Sequence, residues 1–166
     1  MKKLFLFTAA LTFAIGLSAC SAKSDQTVEK KTTKKTAETT QTDVKKPLVK
    51  LYMDLGKKIN EKDLDLNAYE NAPNASLQAK ASDSAASVAA EIKNIQIPKE
   101  LSAQKDAINA ALTDLADSYQ AKADELKKPK PNLDAANATF AKGDDELGNV
   151  FESVKLLKPT LAKQVD

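Results

Sequence analysis

The chain of 166 residues has no His, no Trp and no Arg, and all 25 of its basic residues are Lys. It has one Cys, Cys20, and four Gly: Gly16, Gly56, Gly143 and Gly148. Each shortage closes a class of chemistry. Without His there is no Ser-His-Asp or Cys-His relay, no His-bearing zinc site and no Glu-x-x-His pair for a di-iron bundle. One Cys cannot form an intrachain disulfide or a Cys-rich metal cluster. Four scattered Gly make neither the dinucleotide-binding turn nor the phosphate-cradling loop, which need Gly at short fixed spacing. Nucleic-acid binding is also disfavoured, because nothing after Pro47 forms a basic patch and no Arg is present to read a base edge.

What is present begins with an address. Met1-Lys2-Lys3 is a short basic start, Leu4 to Gly16 reads LFLFTAALTFAIG without a charge, and Leu17-Ser18-Ala19-Cys20 ends the stretch in small residues. That is the order of a secretory signal. The apolar run from Leu4 to Ala19 is 16 residues, short of the roughly 20 that a spanning helix needs. Leu17-Ser18-Ala19-Cys20 resembles the lipobox of bacterial membrane lipoproteins: an aliphatic residue, two small ones, then Cys. The resemblance covers residues 1–20 and implies a diacylglyceryl group on the Cys20 sulfur, with an N-acyl lipid on the same residue as a further option. It implies recognition of Leu17, Ser18 and Ala19 by a lipoprotein signal peptidase, cleavage before Cys20, and a mature protein on the outer side of the cell membrane. Two acyl chains give near-permanent anchoring where one gives only marginal binding. The Arg-free, Lys-rich composition and Thr-rich tether point to a Gram-positive type of envelope. In an envelope with two membranes, Ser21 after the lipidated Cys favours the outer one.

Ser21 to Lys46 holds seven Thr, seven Lys and four acidic residues. So little apolar area cannot offset chain entropy, so a disordered tether is expected, about 30 Å from end to end as a flexible coil. The expected division is therefore a signal over 1–19, lipidated Cys and tether over 20–46, and a helical domain over 47–166. The charges divide along the same line. The tether carries a net +3, the domain has 16 Lys against 19 acids, and the formal +2 of the precursor disappears with Lys2 and Lys3.

From Pro47 onward the apolar residues recur at helical spacing. Leu48, Leu51, Tyr52, Leu55 and Ile59 mark one helix starting at Pro47 and fading near Asp63. Residues 64–72 are ambiguous. Asn74 or Ser76 caps a second helix, rich in Ala and Ser, with Leu77, Ala81, Ala85, Val88, Ile92 and Ile95 on one face. Pro98 ends it and opens a third, carrying Leu101, Ile108, Leu112, Leu115, Tyr119, Ala123 and Leu126. Asn132 caps a fourth, in which Leu133, Phe140, Leu147, Val154 and Leu161 repeat every seven residues and Ala136, Gly143, Val150 and Leu157 follow three behind. Gly143 on that seam implies close packing or a bend, and Pro159 should end the helix near Leu157. No alternating strand pattern competes. The expected fold is all-α: an up-down-up-down four-helix bundle, or three long helices with a short N-terminal one.

Few motifs in the helical part carry chemistry. Ser102 and Lys105 match the S-x-x-K of penicillin-binding proteins and β-lactamases, but the companion S-D-N and K-T-G are absent. Asp63, Asp65 and Asn67 alternate like the opening of a calcium loop, but Ala68 and Asn74 replace its required Gly and Glu. Asp144, Asp145 and Glu146 read as a solvated acidic face. Tyr52 and Tyr119 fall on apolar stripes, which leaves Tyr69 as the aromatic expected at the surface. No metal or soluble cofactor is expected, and catalysis is not. The expected function is a binding or interaction module facing an envelope protein or wall polymer. The alternatives are a structural or stress-related envelope lipoprotein without a discrete ligand, and a carboxylate-dependent enzyme.

Overall fold

A computed structural model describes residues 38–165, with side chains from Val44 onward. Among them are five α-helices and no strand: α1 (Glu38–Asn60), α2 (Leu64–Asn71), α3 (Ala75–Lys93), α4 (Lys105–Glu125) and α5 (Asp134–Ser153). Two single 3-10 turns, Lys99–Leu101 and Leu161–Lys163, lie before α4 and after α5. The sequence stripes are the core. Leu48, Leu55, Ile59, Val88, Ile108, Leu115 and Leu147 are fully shielded from solvent.

α1 starts nine residues ahead of the Pro47 start read from the sequence, so Pro47 lies within it, and residues 38–46, expected as disordered tether, are helical instead. Proline has no N–H to donate to the Asp43 carbonyl and belongs by preference to a first turn. Val44 carries the core contact of α1 past Pro47. It lies four residues before Leu48 and packs partly against the core, extending the buried stripe across the proline. The ambiguous stretch is α2, whose Leu66 and Tyr69, three apart, share its buried side.

α3 is held by capping and by serine. The Asn74 side chain accepts from the Leu77 N–H at 3.1 Å, and Ser76 Oγ donates to it at 2.6 Å. Ser82 donates to the Ala123 carbonyl at 2.7 Å, and Ser84 to the Lys62 carbonyl at 2.5 Å. Small side chains allow backbones this close, and each buried hydroxyl needs such a partner. Gln78 donates to the carbonyls of Leu126 and Lys128, bringing the start of α3 to the end of α4.

The α4–α5 crossing is closest at Gly143. A Cβ there would lie 2.9 Å from Leu115 Cγ and 3.0 Å from the Ala111 carbonyl oxygen, so the seam glycine serves close packing. The cap of α5 is Leu133, one residue past the expected Asn132, whose side chain accepts from the Asp134 N–H at 2.8 Å. The heptad seam ends sooner than expected. α5 stops at Ser153, Lys155 turns into the left-handed region (φ 60°), and Leu157 is 93% exposed. The stop is a Schellman motif: the Leu156 N–H donates to the Phe151 carbonyl and the Lys155 N–H to the Glu152 carbonyl. Leu156 packs partly on the core. The chain has thus already left the helix before Pro159.

Candidate functional site

The lipobox residues Leu17, Ser18, Ala19 and Cys20 lie outside the described residues, as do tether positions 21–37. The described part has two features of chemical interest, one interior and one on the surface.

The interior feature is a polar cluster where α2, α4 and α5 meet the C-terminal segment. Lys122 is buried at 7% exposure, yet it lies on the apolar stripe of α4 between Tyr119 and Leu126. Its ammonium donates to Glu70 at 2.8 Å and sits 5.4 Å from the Tyr119 ring centre and 6.0 Å from that of Phe140. The two rings meet edge to face at 5.9 Å. An opposite charge and two π faces replace the water that a buried cation loses. These side chains line a cavity of about 170 Å³, roofed by Ala162 and Val165. Burial, then the nearby Asp63 and Glu70, push the Tyr119 hydroxyl pKa up. Asp63 is 3% exposed and its Oδ2 has no hydrogen-bond partner. Burial raises the pKa of its carboxyl above the ordinary aspartate value.

The roof is held by the expected acidic run. Asp144 is buried, and its carboxylate accepts from the Leu161 N–H at 2.8 Å and the Ala162 N–H at 3.4 Å. Asp145 pairs with Lys158 at 2.5 Å, and Glu146 with Lys142 at 3.5 Å. The solvated acidic face expected at 144–146 is therefore corrected at Asp144, which faces the returning chain because α5 ends early and the C-terminal segment folds back. Asn60 and Asn67 donate to the carbonyls of Gln164 and Val165, completing the strap.

The other sequence candidates separate. Asp63 is buried, Asp65 is exposed and Asn67 holds the strap. Among the described residues no group of three or more potential ligands could hold a metal ion. Ser102 and Lys105 are both exposed at the start of α4. Tyr69, expected at the surface, is buried at 9% because α2 lays that side on α3. Tyr52 packs edge to face on Phe151 at 5.3 Å, with its hydroxyl unpartnered. Its pKa is raised by burial and then by Asp144. Sequence reasoning missed Lys122 and Glu70. The available signal was a lysine in register with a buried stripe.

The surface feature is the side of α1 opposite its core stripe. Lys46, Lys50, Met53 and Lys57 fall within one arc of the helix, with Val49 on its shoulder and Lys45 beside it. Met53 is 64% exposed and Val49 39%. Lys45, Lys46, Lys50 and Asp54 border the shallow groove in which these two side chains lie. Asp54 pairs with Lys50 at 2.8 Å and Glu61 with Lys57 at 3.7 Å. No helix among the described residues is long and apolar enough to cross a membrane.

No protein-family model, no curated protein and no solved structure matches the chain.

Proposed function

We propose that the protein is an extracytoplasmic lipoprotein, anchored in the cell membrane by lipid on Cys20, whose helical domain is a non-catalytic binding module of the envelope. The anchoring part rests on the sole Cys of the chain standing last in Leu17-Ser18-Ala19-Cys20 behind an uncharged run. The binding part rests on the outward face of α1, where Val49 and Met53 are exposed among lysines. Grouped apolar exposure rimmed by polar residues is the kind of surface that marks an interaction face.

The four longer helices form an up-down-up-down bundle in this reading, with α2 as a turn of the chain between α1 and α3. Support comes from cross-helix pairs that run in opposite senses. Lys58 meets Glu91, while the Lys62 carbonyl meets Ser84; Gln78 meets Leu126, while Ser82 meets Ala123; Leu115 abuts Gly143, while Tyr119 meets Phe140. The reading as a binding module rather than an enzyme is favoured by how the interior charges are used. Glu70 neutralises Lys122, and both oxygens of Asp144 accept backbone N–H groups, which leaves Asp63, with one unpartnered oxygen, as the buried carboxylate not so used.

Cys20→Ala tests the anchor. The variant should fail to incorporate labelled fatty acid and should leave the membrane fraction. Continued labelling of the variant would refute the assignment of Cys20.

A further inference from the structure

We propose that the outward face of α1 docks on an anionic lipid surface, laying Val49 and Met53 into the headgroup boundary with Lys45, Lys46, Lys50 and Lys57 around them. The proposal rests on the anchoring reading above and names the partner of its binding face.

Three observations select lipid as the occupant. The first is charge. Lys45, Lys46 and Lys50 line the groove with the two apolar side chains and Lys57 falls on the same arc; among the residues whose side chains are described, Asp54 and Glu61 oppose them, whereas residues 47–166 hold 16 Lys against 19 acids. This basic face thus precedes and borders a stretch that is acidic overall. A lysine brought to an anionic surface strengthens binding about fivefold.

The second is area. A stable protein interface removes roughly 800 Å² from each partner. Two apolar side chains on a single helix cannot approach that, but they suffice for an interfacial helix that inserts a few apolar residues between basic ones. From Lys46 to Lys57 the face is about 17 Å long, and a flat surface can meet all of it.

The third is position. α1 is the first described element after Cys20, and Glu38 follows it by 18 residues. Even fully extended, that length reaches no more than about 65 Å. A surface held so close to lipid docks at high effective concentration, so weak contacts are enough. The orientation follows: α1 lies along the membrane.

The test uses the full lipidated chain carrying Met53→Cys, labelled with an environment-sensitive fluorophore and reconstituted into vesicles that contain nitroxide-bearing lipid. With about one third phosphatidylglycerol, quenching at position 53 should be at least twofold greater than in pure phosphatidylcholine. It should fall to the phosphatidylcholine level in high salt and when Lys45, Lys46, Lys50 and Lys57 are all changed to Gln. The same label placed by Asp83→Cys, on exposed α3, should stay unquenched in both. Equal quenching at 53 in the two lipids, none in either, or a response that follows protein density instead of phosphatidylglycerol content would overturn the proposal, the last by assigning the face to a second copy of the chain.

The anchor is read separately, from the mass of the Cys20 adduct in the same sample. Should the adduct be absent, docking is measured by co-sedimentation of the Cys20→Ser chain with phosphatidylglycerol vesicles. There the four-lysine variant should bind at least tenfold more weakly, and equal binding would overturn the docking proposal. A missing adduct sinks the anchoring reading while leaving this difference intact. An intact adduct with no lipid dependence at position 53 does the reverse.

Discussion

Two groups of lysines on this domain have the same side chain and opposite surroundings. Lys122 is enclosed by α2, α4 and α5, paired with Glu70 and placed near two aromatic rings. The lysines of the outward face of α1 are solvated, and Lys50 and Lys57 keep 77% and 75% of their side-chain surface exposed. Dielectric decides what each can contribute. A charge pair in the interior is held at close range with few competitors, so it constrains structure, and losing one member strands the other. A solvated pair contributes little to stability, but its cation remains available to a partner outside the molecule.

That contrast can be broken most severely where the interior side is tightest. Gly143→Val would drive a branched side chain into the Ala111 carbonyl and the Leu115 backbone nitrogen, both 3.0 Å from an added Cβ. Overpacking of this kind costs about 3 kcal/mol, read as a lower urea midpoint. Lys122→Ala should cost about 2 kcal/mol, less than a fully buried pair because Glu70 keeps partial access to water. Adding Glu70→Gln to that variant should restore part of the loss, since the second change removes the stranded charge. A double variant no more stable than the single one would deny the pair its role.

Asp63→Asn should stabilise the domain at neutral pH. The folded-state pKa of Asp63 lies above its ordinary value, so the native chain binds this proton more tightly than the unfolded chain does. The contribution is therefore fully favourable below the ordinary aspartate range and is lost as pH rises from there through the raised folded pKa. Thermal midpoints should separate in favour of the Asn variant above that window and converge below it. Lys155→Gly should add up to about 1 kcal/mol by relieving a left-handed backbone that only glycine adopts freely. Changing Lys45, Lys46, Lys50 and Lys57 to Gln should shift stability by less than about 0.5 kcal/mol while altering lipid binding. A large loss of stability would show that these lysines hold the fold.

The apolar stripes were legible because periodicity records burial directly: each stripe residue from Leu48 through Leu126 is buried or partly buried. Asn74, Asn132 and Gly143 were legible because each answers a local demand, two for helix starts and one for a close crossing. What the sequence hid depended on contacts between distant segments. α1 runs through Pro47, and Val44 on its N-terminal side finds the core. α5 ends at Ser153 although its seven-residue pattern continues, because the following segment returns to the Asp144 carboxylate. Tyr69 is buried because α2, too short to show a period, lies on α3. Of the candidate surface, each residue of the α1 face was visible in the chain, but the exposure of Val49 and Met53 depends on which neighbours leave that side of α1 uncovered.

The central claim is that this domain works from a lipid anchor on Cys20. The most direct measurement is the intact mass, and the mass of the N-terminal peptide, of the protein extracted from its native membrane. The account predicts an N-terminal peptide beginning at Cys20 and carrying the added mass of a diacylglyceryl thioether, with or without an N-acyl chain. A chain that begins elsewhere, or one whose Cys20 remains a free thiol, would contradict it.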